Sequence, residues 1–190
     1  MEICFATNNL NKLKEINAAV TDIRILSLKD INCNEELPET TPTLEGNSMQ
    51  KAEHVFDNYN INCFADDTGL EVNTLDGEPG VYSARYAGEP SNSKNNMDLL
   101  LQKMDEKTDR SAQFRTVITL IIDGNKTQFE GIAKGIITES KQGEQGFGYD
   151  PIFIPEGYNK TFAELTIEEK NKISHRGIAV RKLITYLNTL

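Results

Sequence analysis

Two adjacent carboxylates, Asp66 and Asp67, stand where an apolar run over residues 63–65 stops, and Thr68 and Gly69 follow them. Carboxylates at the end of a strand suit a hard cation such as Mg²⁺, which takes oxygen ligands. A carboxylate beside a bound water can also take its proton. Neighbouring residues of a regular strand point to opposite faces. So either one of the two faces a site, or the chain has already left strand geometry, with Gly69 allowing a sharp turn. A solvated Asp-Asp turn is the plain alternative.

Other polar groups bear on that choice. Thr7-Asn8-Asn9 follows the apolar Ile3-Cys4-Phe5-Ala6, and Lys12 comes one turn into the helical spacing that begins there. Strand, polar turn and helix start present backbone N–H groups to an anion, although an Asn cap explains the same residues. Lys51 sits inside a helical pattern, where a lysine ordinarily faces solvent, and Glu39 precedes that helix in an acidic loop. Ser174 reads as a helix cap, so His175 and Arg176 fall in a first turn, where cations oppose the helix dipole. An anionic or carbonyl-bearing ligand would offset that penalty. Gly146-Phe147-Gly148-Tyr149-Asp150 sets aromatic rings among glycines, which suits a loop approaching a flat ring. Its spacing is not that of a dinucleotide-binding fingerprint.

The elements that position these groups follow from periodicity. Helical spacing covers residues 11–20, 44–58, 92–104 and 178–190, with a charged helical start at 166–172. In the second of these, Leu44, Asn47, Lys51 and Val55 share one face. Strand patterns cover residues 3–6, 24–28, 63–65, 71–75, 112–122 and 127–137. Asp123-Gly124 marks a hairpin between the last two, and this long hairpin reads as sheet core rather than chemistry. Residues 32–43 read as a loop, and Pro79-Gly80 as a break. The pattern is a mixed α/β fold.

Bulk properties exclude several classes. At 190 residues the chain fits one domain. A net charge of −9 makes it a poor general partner for polyanionic nucleic acid, while a local cationic cluster still admits a small phosphorylated ligand. Three scattered cysteines and two histidines, His54 and His175, do not make a zinc site and suit a reducing cytoplasm. Met1-Glu2-Ile3 lacks the basic region of a secretory leader, and no apolar run reaches membrane-spanning length.

Five motifs in order, from residue 5 to residue 176, resemble the inosine/xanthosine triphosphate pyrophosphatases, enzymes that hydrolyse non-standard purine nucleoside triphosphates. They are Phe5-Ala6-Thr7-Asn8-Asn9 with Lys12, Ala65-Asp66-Asp67-Thr68-Gly69-Leu70, Gly80-Val81-Tyr82-Ser83-Ala84-Arg85-Tyr86, Gly146 to Pro151, and Glu169-Lys170 through Ser174-His175-Arg176. The resemblance implies a single two-lobed domain over residues 1–190, with a long twisted central sheet, flanking helices and a cleft between the lobes. It implies hydrolysis of ITP, dITP or XTP to the monophosphate and pyrophosphate. It places Thr7, Asn8, Asn9, Leu10, Asn11 and Lys12 at the phosphates, and Lys51, Arg85 and Lys170 near the triphosphate. Thr68 would touch substrate, Phe147, Gly148, Tyr149 and Asp150 would form the base pocket, and His175 and Arg176 would contact the purine. Glu39 and Asp67 would hold Mg²⁺, with Asp67 or Asp66 as general base. It also implies a homodimer in the cytoplasm.

Rival readings are a related nucleotide pyrophosphatase of other base specificity and a nucleotide-binding protein without turnover. Against the second, binding alone does not need a carboxylate pair beside Lys12 and Lys51. A Nudix hydrolase is excluded, because no Arg-Glu-x-x-Glu-Glu run occurs.

Overall fold

Polar caps set where the helices begin. In the computed structural model, which describes residues 2–20 and 23–189, the Asn9 side chain accepts from the N–H groups of Asn11 and Lys12 and starts α1 (Leu10–Ala19). Thr43 starts α2 (Leu44–Tyr59), Asn92 starts α3 (Ser93–Lys103), Thr166 starts α4 (Ile167–Ile173) and Ser174 starts α5 (His175–Leu187). Each cap accepts a hydrogen bond from an N–H that the helix leaves unpaired. The last helix therefore opens at His175, with Ser174 as its cap, as its sequence suggests. Leu183 and Leu187 are buried, while Ile178 and Ile184 are only half-buried. The helix ends at Leu187 with Asn188 as its C-cap, short of the expected end at residue 190, which itself lies outside the described residues.

One mixed sheet of seven strands has the order β2-β1-β3-β5-β6-β7, with β4 pairing β3 off this path. The strands are β1 (Glu2–Phe5), β2 (Arg24–Leu26), β3 (Cys63–Val72), β4 (Pro79–Gly80), β5 (Ser111–Ile122), β6 (Asn125–Ile137) and β7 (Phe153–Pro155). β1 runs parallel to β2 and β3, and the β3-β5-β6-β7 pairs are antiparallel. The class is the expected mixed α/β. The Asp123-Gly124 hairpin forms, with φ of 49° and 83° at its two turn residues, as a two-residue turn requires.

Four expectations about the centre need correction. β3 does not end at the carboxylates. It runs straight through them, paired with β5 from Cys63↔Ile121 to Val72↔Ala112. Regular pairing there needs only backbone groups, which Asp supplies like any residue. Gly69 does not turn the chain either. A Cβ there would lie 2.7 Å from the Gly80 carbonyl oxygen, so its lack of a side chain lets β4 approach β3, where Leu70 pairs with Gly80. Pro79-Gly80 is thus a paired strand, and residues 73–75 form a 3₁₀ turn rather than more strand.

The apolar cores explain where the site can lie. Phe64, Ile118 and Leu120 pack with Ile16 of α1 and Val180 and Leu183 of α5 on one face of the sheet. Cys63, Ala65 and Ile121 pack with Ala52 and Val55 of α2 on the other. Further along β3, Leu70 and Val72 join Leu100, Phe114, Phe153 and Phe162 in a separate core. Asp66, Asp67 and Thr68 fall between these cores.

Candidate active site

The cleft forms because one edge of β3 is left unpaired. β1 stops at Phe5↔Phe64, and β4 begins only at Leu70↔Gly80. Residues 65–69 have no strand on that side, and side chains from both faces of the sheet reach the gap. A cleft of about 370 Å³ lies there. Of the expected residues, Thr7, Asn8, Asn9, Lys12, Glu39, Lys51, Asp67, Thr68, Phe147, Gly148, Tyr149, Asp150, Lys170, His175 and Arg176 line it.

Four do not. Leu10 is 73% exposed at the start of α1, and the Asn11 N–H serves the cap. The Arg85 guanidinium stands 5.5 Å over the Tyr82 ring. Asp66 is buried beneath the cleft.

Asp66 accepts from Lys12 Nζ at 2.9 Å, Arg176 Nε at 3.0 Å and Thr68 Oγ1 at 3.3 Å. Burial alone would raise its pKa, but Lys12 and Arg176 outweigh that and hold it well below the carboxylate range. Burial correspondingly lowers the pKa of Lys12, against the pull of Asp66. A carboxylate so firmly paired is a poor proton acceptor.

Asp67 points to the opposite face, toward α2. It accepts from Asn47 Nδ2 at 3.1 Å, and Lys51 Nζ lies 3.5 Å from Oδ1. Lys51 also donates to Glu39. Lys51 is only 4% exposed, so the usual solvent-facing role of a mid-helix lysine does not apply. Burial lowers its pKa, but Asp67 and Glu39 more than reverse this. Burial raises the pKa of Asp67, with the Glu39 charge adding to the effect.

At the other end, Lys170 Nζ donates to Glu15 and Asp150, both at 2.6 Å, and Arg176 donates to Glu15 at 2.5 Å. The two cations stand 5.0 and 5.5 Å from the Phe147 ring centroid. Asp150 Oδ2 also accepts from the Phe147 N–H at 2.8 Å. Gly146 permits this tight loop, since its φ is +73° and a Cβ would sit 2.1 Å from that oxygen. Asp150 thus closes the aromatic loop rather than offering a free edge. Tyr149 likewise spends its hydroxyl on the Ser83 carbonyl at 2.9 Å.

At the start of α5 the protein itself meets the charge that opposes the helix dipole. Carboxylates of the protein, Glu15 and Asp66, balance Arg176, so no ligand is needed for that. His175 carries no charge: burial, then Arg176 and Lys170, push its pKa well below the usual 6.5. Its ring stacks on Phe114 at 4.5 Å. His175 Nδ1 is buried without a hydrogen-bond partner, the one such side-chain atom among the described residues. A buried orphan of this kind costs about 1–3 kcal/mol, which a polar ligand edge would relieve.

Some of the site gave no signal in the sequence. Glu15 looks like any polar residue on a helix, yet it joins Lys170 and Arg176. Phe114 was assigned to the hairpin core, and it is also a cleft wall. Ser83, Asn96, Glu36 and Leu37 line the cleft too. The Asn47 contact to Asp67 was foreshadowed only by its place on the apolar face of α2.

Whether Mg²⁺ fits can be judged from charge. The described side chains lining or underlying the cleft include the carboxylates Glu15, Glu39, Asp66, Asp67 and Asp150, against the cations Lys12, Lys51, Lys170 and Arg176. Every cation is already paired with a carboxylate. A polyanionic ligand therefore needs added positive charge, and Glu39 and Asp67, which share one ammonium, are oxygen donors for it. Mg²⁺ is commonly held by one or two carboxylates together with substrate phosphates. The residues fit.

A mixed sheet whose unpaired edge gathers acid, lysine and aromatic groups in one cleft defines a class shared with known proteins. The chain belongs to the Ham1 family, whose model matches residues 3–186. It is 57% identical over 188 residues to a protein named dITP/XTP pyrophosphatase from Flavobacterium johnsoniae, covering 98% of each chain. It is 50% identical over 188 residues to one of the same name from Porphyromonas gingivalis, covering 98% of this chain and 97% of that one. Among solved structures, a HAM1 protein from Coxiella burnetii superposes with a TM-score of 0.91 at 34% identity, covering 100% of both chains. The Staphylococcus aureus Ham1 protein gives 0.90 at 40% identity, over 100% of this chain and 99% of that one.

Proposed function

We propose that this protein hydrolyses the non-standard purine triphosphates dITP, XTP and ITP to the monophosphate and pyrophosphate. The observation that carries the reading is one cleft with a carboxylate–lysine cluster at Asp67, Lys51 and Glu39 and an aromatic, neutral-histidine end at Phe147 and His175. The names of the relatives support it.

In this reading the purine lies by Phe147, with its polar edge toward His175 Nδ1. A neutral imidazole has one donor and one acceptor nitrogen, so Nδ1 in its protonated tautomer meets a 6-oxo group. Adenine places an amino group there, leaving two donors opposed. Asp67 accepts the proton of the attacking water as its oxygen bonds to the α-phosphorus and the bond to the bridging oxygen breaks. Asp67 lines the cleft, which suits that role, whereas Asp66 lies firmly paired beneath and holds Lys12 and Arg176 in place. Lys12 and Lys51 offset the charge that builds on the departing pyrophosphate. Glu39 and Asp67 would hold Mg²⁺, which supplies charge neutralisation and orients phosphate oxygens.

The test is pyrophosphate release from dITP, XTP and ITP beside ATP and GTP, with and without Mg²⁺. Metal-dependent release from the first three and not from ATP is the expected result, while GTP, which shares the 6-oxo group, reads what the 2-amino group costs. Equal release from all five would discard the selective pocket, and no release would discard the enzyme. The reading includes a homodimer in the cytoplasm, on the family resemblance, which light scattering of the purified chain and fractionation check. Among the described residues no helix is long and apolar enough to cross a membrane.

A further inference from the structure

The segment between the short 3₁₀ turn at Lys29–Ile31 and α2 carries Glu36, Leu37 and Glu39 into the cleft lining. Among the described residues, residues 34–39 make no backbone-to-backbone hydrogen bond. Two of their backbone groups are instead taken by one side chain from the other wall. Asn8 Nδ2 donates to the Glu35 carbonyl at 3.3 Å, and Asn8 Oδ1 accepts from the Leu37 N–H at 3.4 Å. The amide thus mimics a strand edge, one donor and one acceptor meeting residues two apart. On its outer side the segment is tied to α2, where Glu35 accepts from Tyr59 at 2.9 Å and pairs with His54 at 3.0 Å. Past Glu39, the Thr40 N–H donates to Gln50 at 2.9 Å.

We infer that Asn8 is a positioning residue that latches this acidic strap, so that Glu39 is delivered to Lys51 and Asp67. Only an amide side chain combines the needed donor and acceptor in one plane. Glycine has neither, and aspartate would set a lone pair against the Glu35 carbonyl. The two bonds are long and solvent-exposed, so the latch is weak and releasable. Asn8 then acts on the metal-binding carboxylate through the strap rather than by touching phosphate.

The metal arm of the test rests on the proposed Mg²⁺-dependent hydrolysis, and the exchange arm does not. Hydrogen exchange of the full chain, without nucleotide or metal, is compared for wild type and Asn8→Gly. The Leu37 amide is expected to exchange roughly twofold faster, the effect of one lost hydrogen bond at the weak end of the usual range. Unchanged exchange over residues 34–39 overturns the latch, whatever the activity. In pyrophosphate release from dITP, the half-saturating Mg²⁺ concentration should rise in Asn8→Gly by more than KM for dITP does. A rise in KM alone would show that the amide contacts substrate directly, which also overturns the latch. Glu35→Ala removes the outer tie without touching Asn8. It should reproduce both the faster exchange and the Mg²⁺ shift with kcat at saturating Mg²⁺ unchanged, and failure to do so overturns the route through the strap. If no nucleotide is hydrolysed, the proposed function fails while the exchange comparison still decides the latch.

Discussion

Asp66 and Asp67 are neighbours on one strand and face opposite sides of the sheet: Asp66 meets Lys12 at 2.9 Å and Arg176 at 3.0 Å, while Asp67 meets Asn47 at 3.1 Å and Lys51 at 3.5 Å. Strand alternation does this without any special geometry. It gives one carboxylate a structural setting and the other a reactive one, with their proton affinities pushed apart.

The two asparagine variants should therefore differ in kind. Asp67→Asn is expected to lower kcat by roughly 10²–10⁴, the scale of general base catalysis, with the melting temperature near that of wild type. Asp66→Asn leaves half-buried Lys12 and buried Arg176 short of a charge partner. Breaking a buried pair costs about 3–5 kcal/mol, so this variant should lose stability first. Parallel thermal melts and steady-state kinetics separate the two. Equal loss of kcat at equal stability would remove the division of roles.

How much of this was legible depends on how local the cause is. The Asn cap of α1, the Ser174 cap, the Asp123-Gly124 turn and the shared face of α2 follow from neighbours in the chain, so sequence patterns reveal them. The continuation of β3 through two charges did not, because the partners that make those charges tolerable come from residues 12, 51 and 176. Glu15 illustrates the same limit. Its spacing on α1 is that of an ordinary polar residue, and only the packing of α1 against α4 and α5 shows it buried between Lys170 and Arg176. Gly69 was visible as a glycine. The reason for it, the approach of β4, was not.

Phe147 tests the aromatic end of the cleft. Stacking a base on an aromatic ring is worth about 1–3 kcal/mol. Under the proposed function Phe147→Ala should raise KM for dITP by roughly tenfold or more, within that range, and change kcat less. The ring also lies beside Lys170 and Arg176, so a melt should accompany the kinetics. An unchanged KM in a folded variant would take stacking out of the account.

Gly69→Ala tests why the open edge of β3 ends where it does. The new Cβ would fall 2.7 Å from the Gly80 oxygen and 2.9 Å from its carbonyl carbon. Both are backbone atoms and cannot rotate away. Relief requires β4 to move off β3, which strains the Leu70↔Gly80 pair and the Leu70 N–H bond to Ser83 Oγ at 2.9 Å. Overpacking of this kind costs about 1–3 kcal/mol. A lower urea midpoint with an unchanged slope is expected, and wild-type stability would show that β4 is not held by this contact.

The pH dependence of stability should be set first by His175. Its folded pKa lies well below 6.5 because burial, Arg176 and Lys170 all disfavour the charged ring, whereas the unfolded chain titrates near the usual value. Below about pH 6.5 the unfolded state binds a proton that the folded state refuses, so stability falls with falling pH, by about 1.4 kcal/mol per unit. Glu15 and Asp66 add to this lower down. Their folded pKa values are depressed by Arg176 with Lys170 and by Lys12 with Arg176, each against burial. The stability they contribute is present above the ordinary carboxylate range and is lost as pH falls below it. Urea midpoints from pH 8 to pH 4 should therefore decline from about 6.5 downward, and steepen below about 4.5 as the carboxylates join. His175→Asn forfeits the stack on Phe114 and starts from a lower midpoint. The slope is the discriminating readout, since without the imidazole the decline between pH 7 and pH 5 should be lost. An unaltered slope in that variant would assign the acid sensitivity to another group.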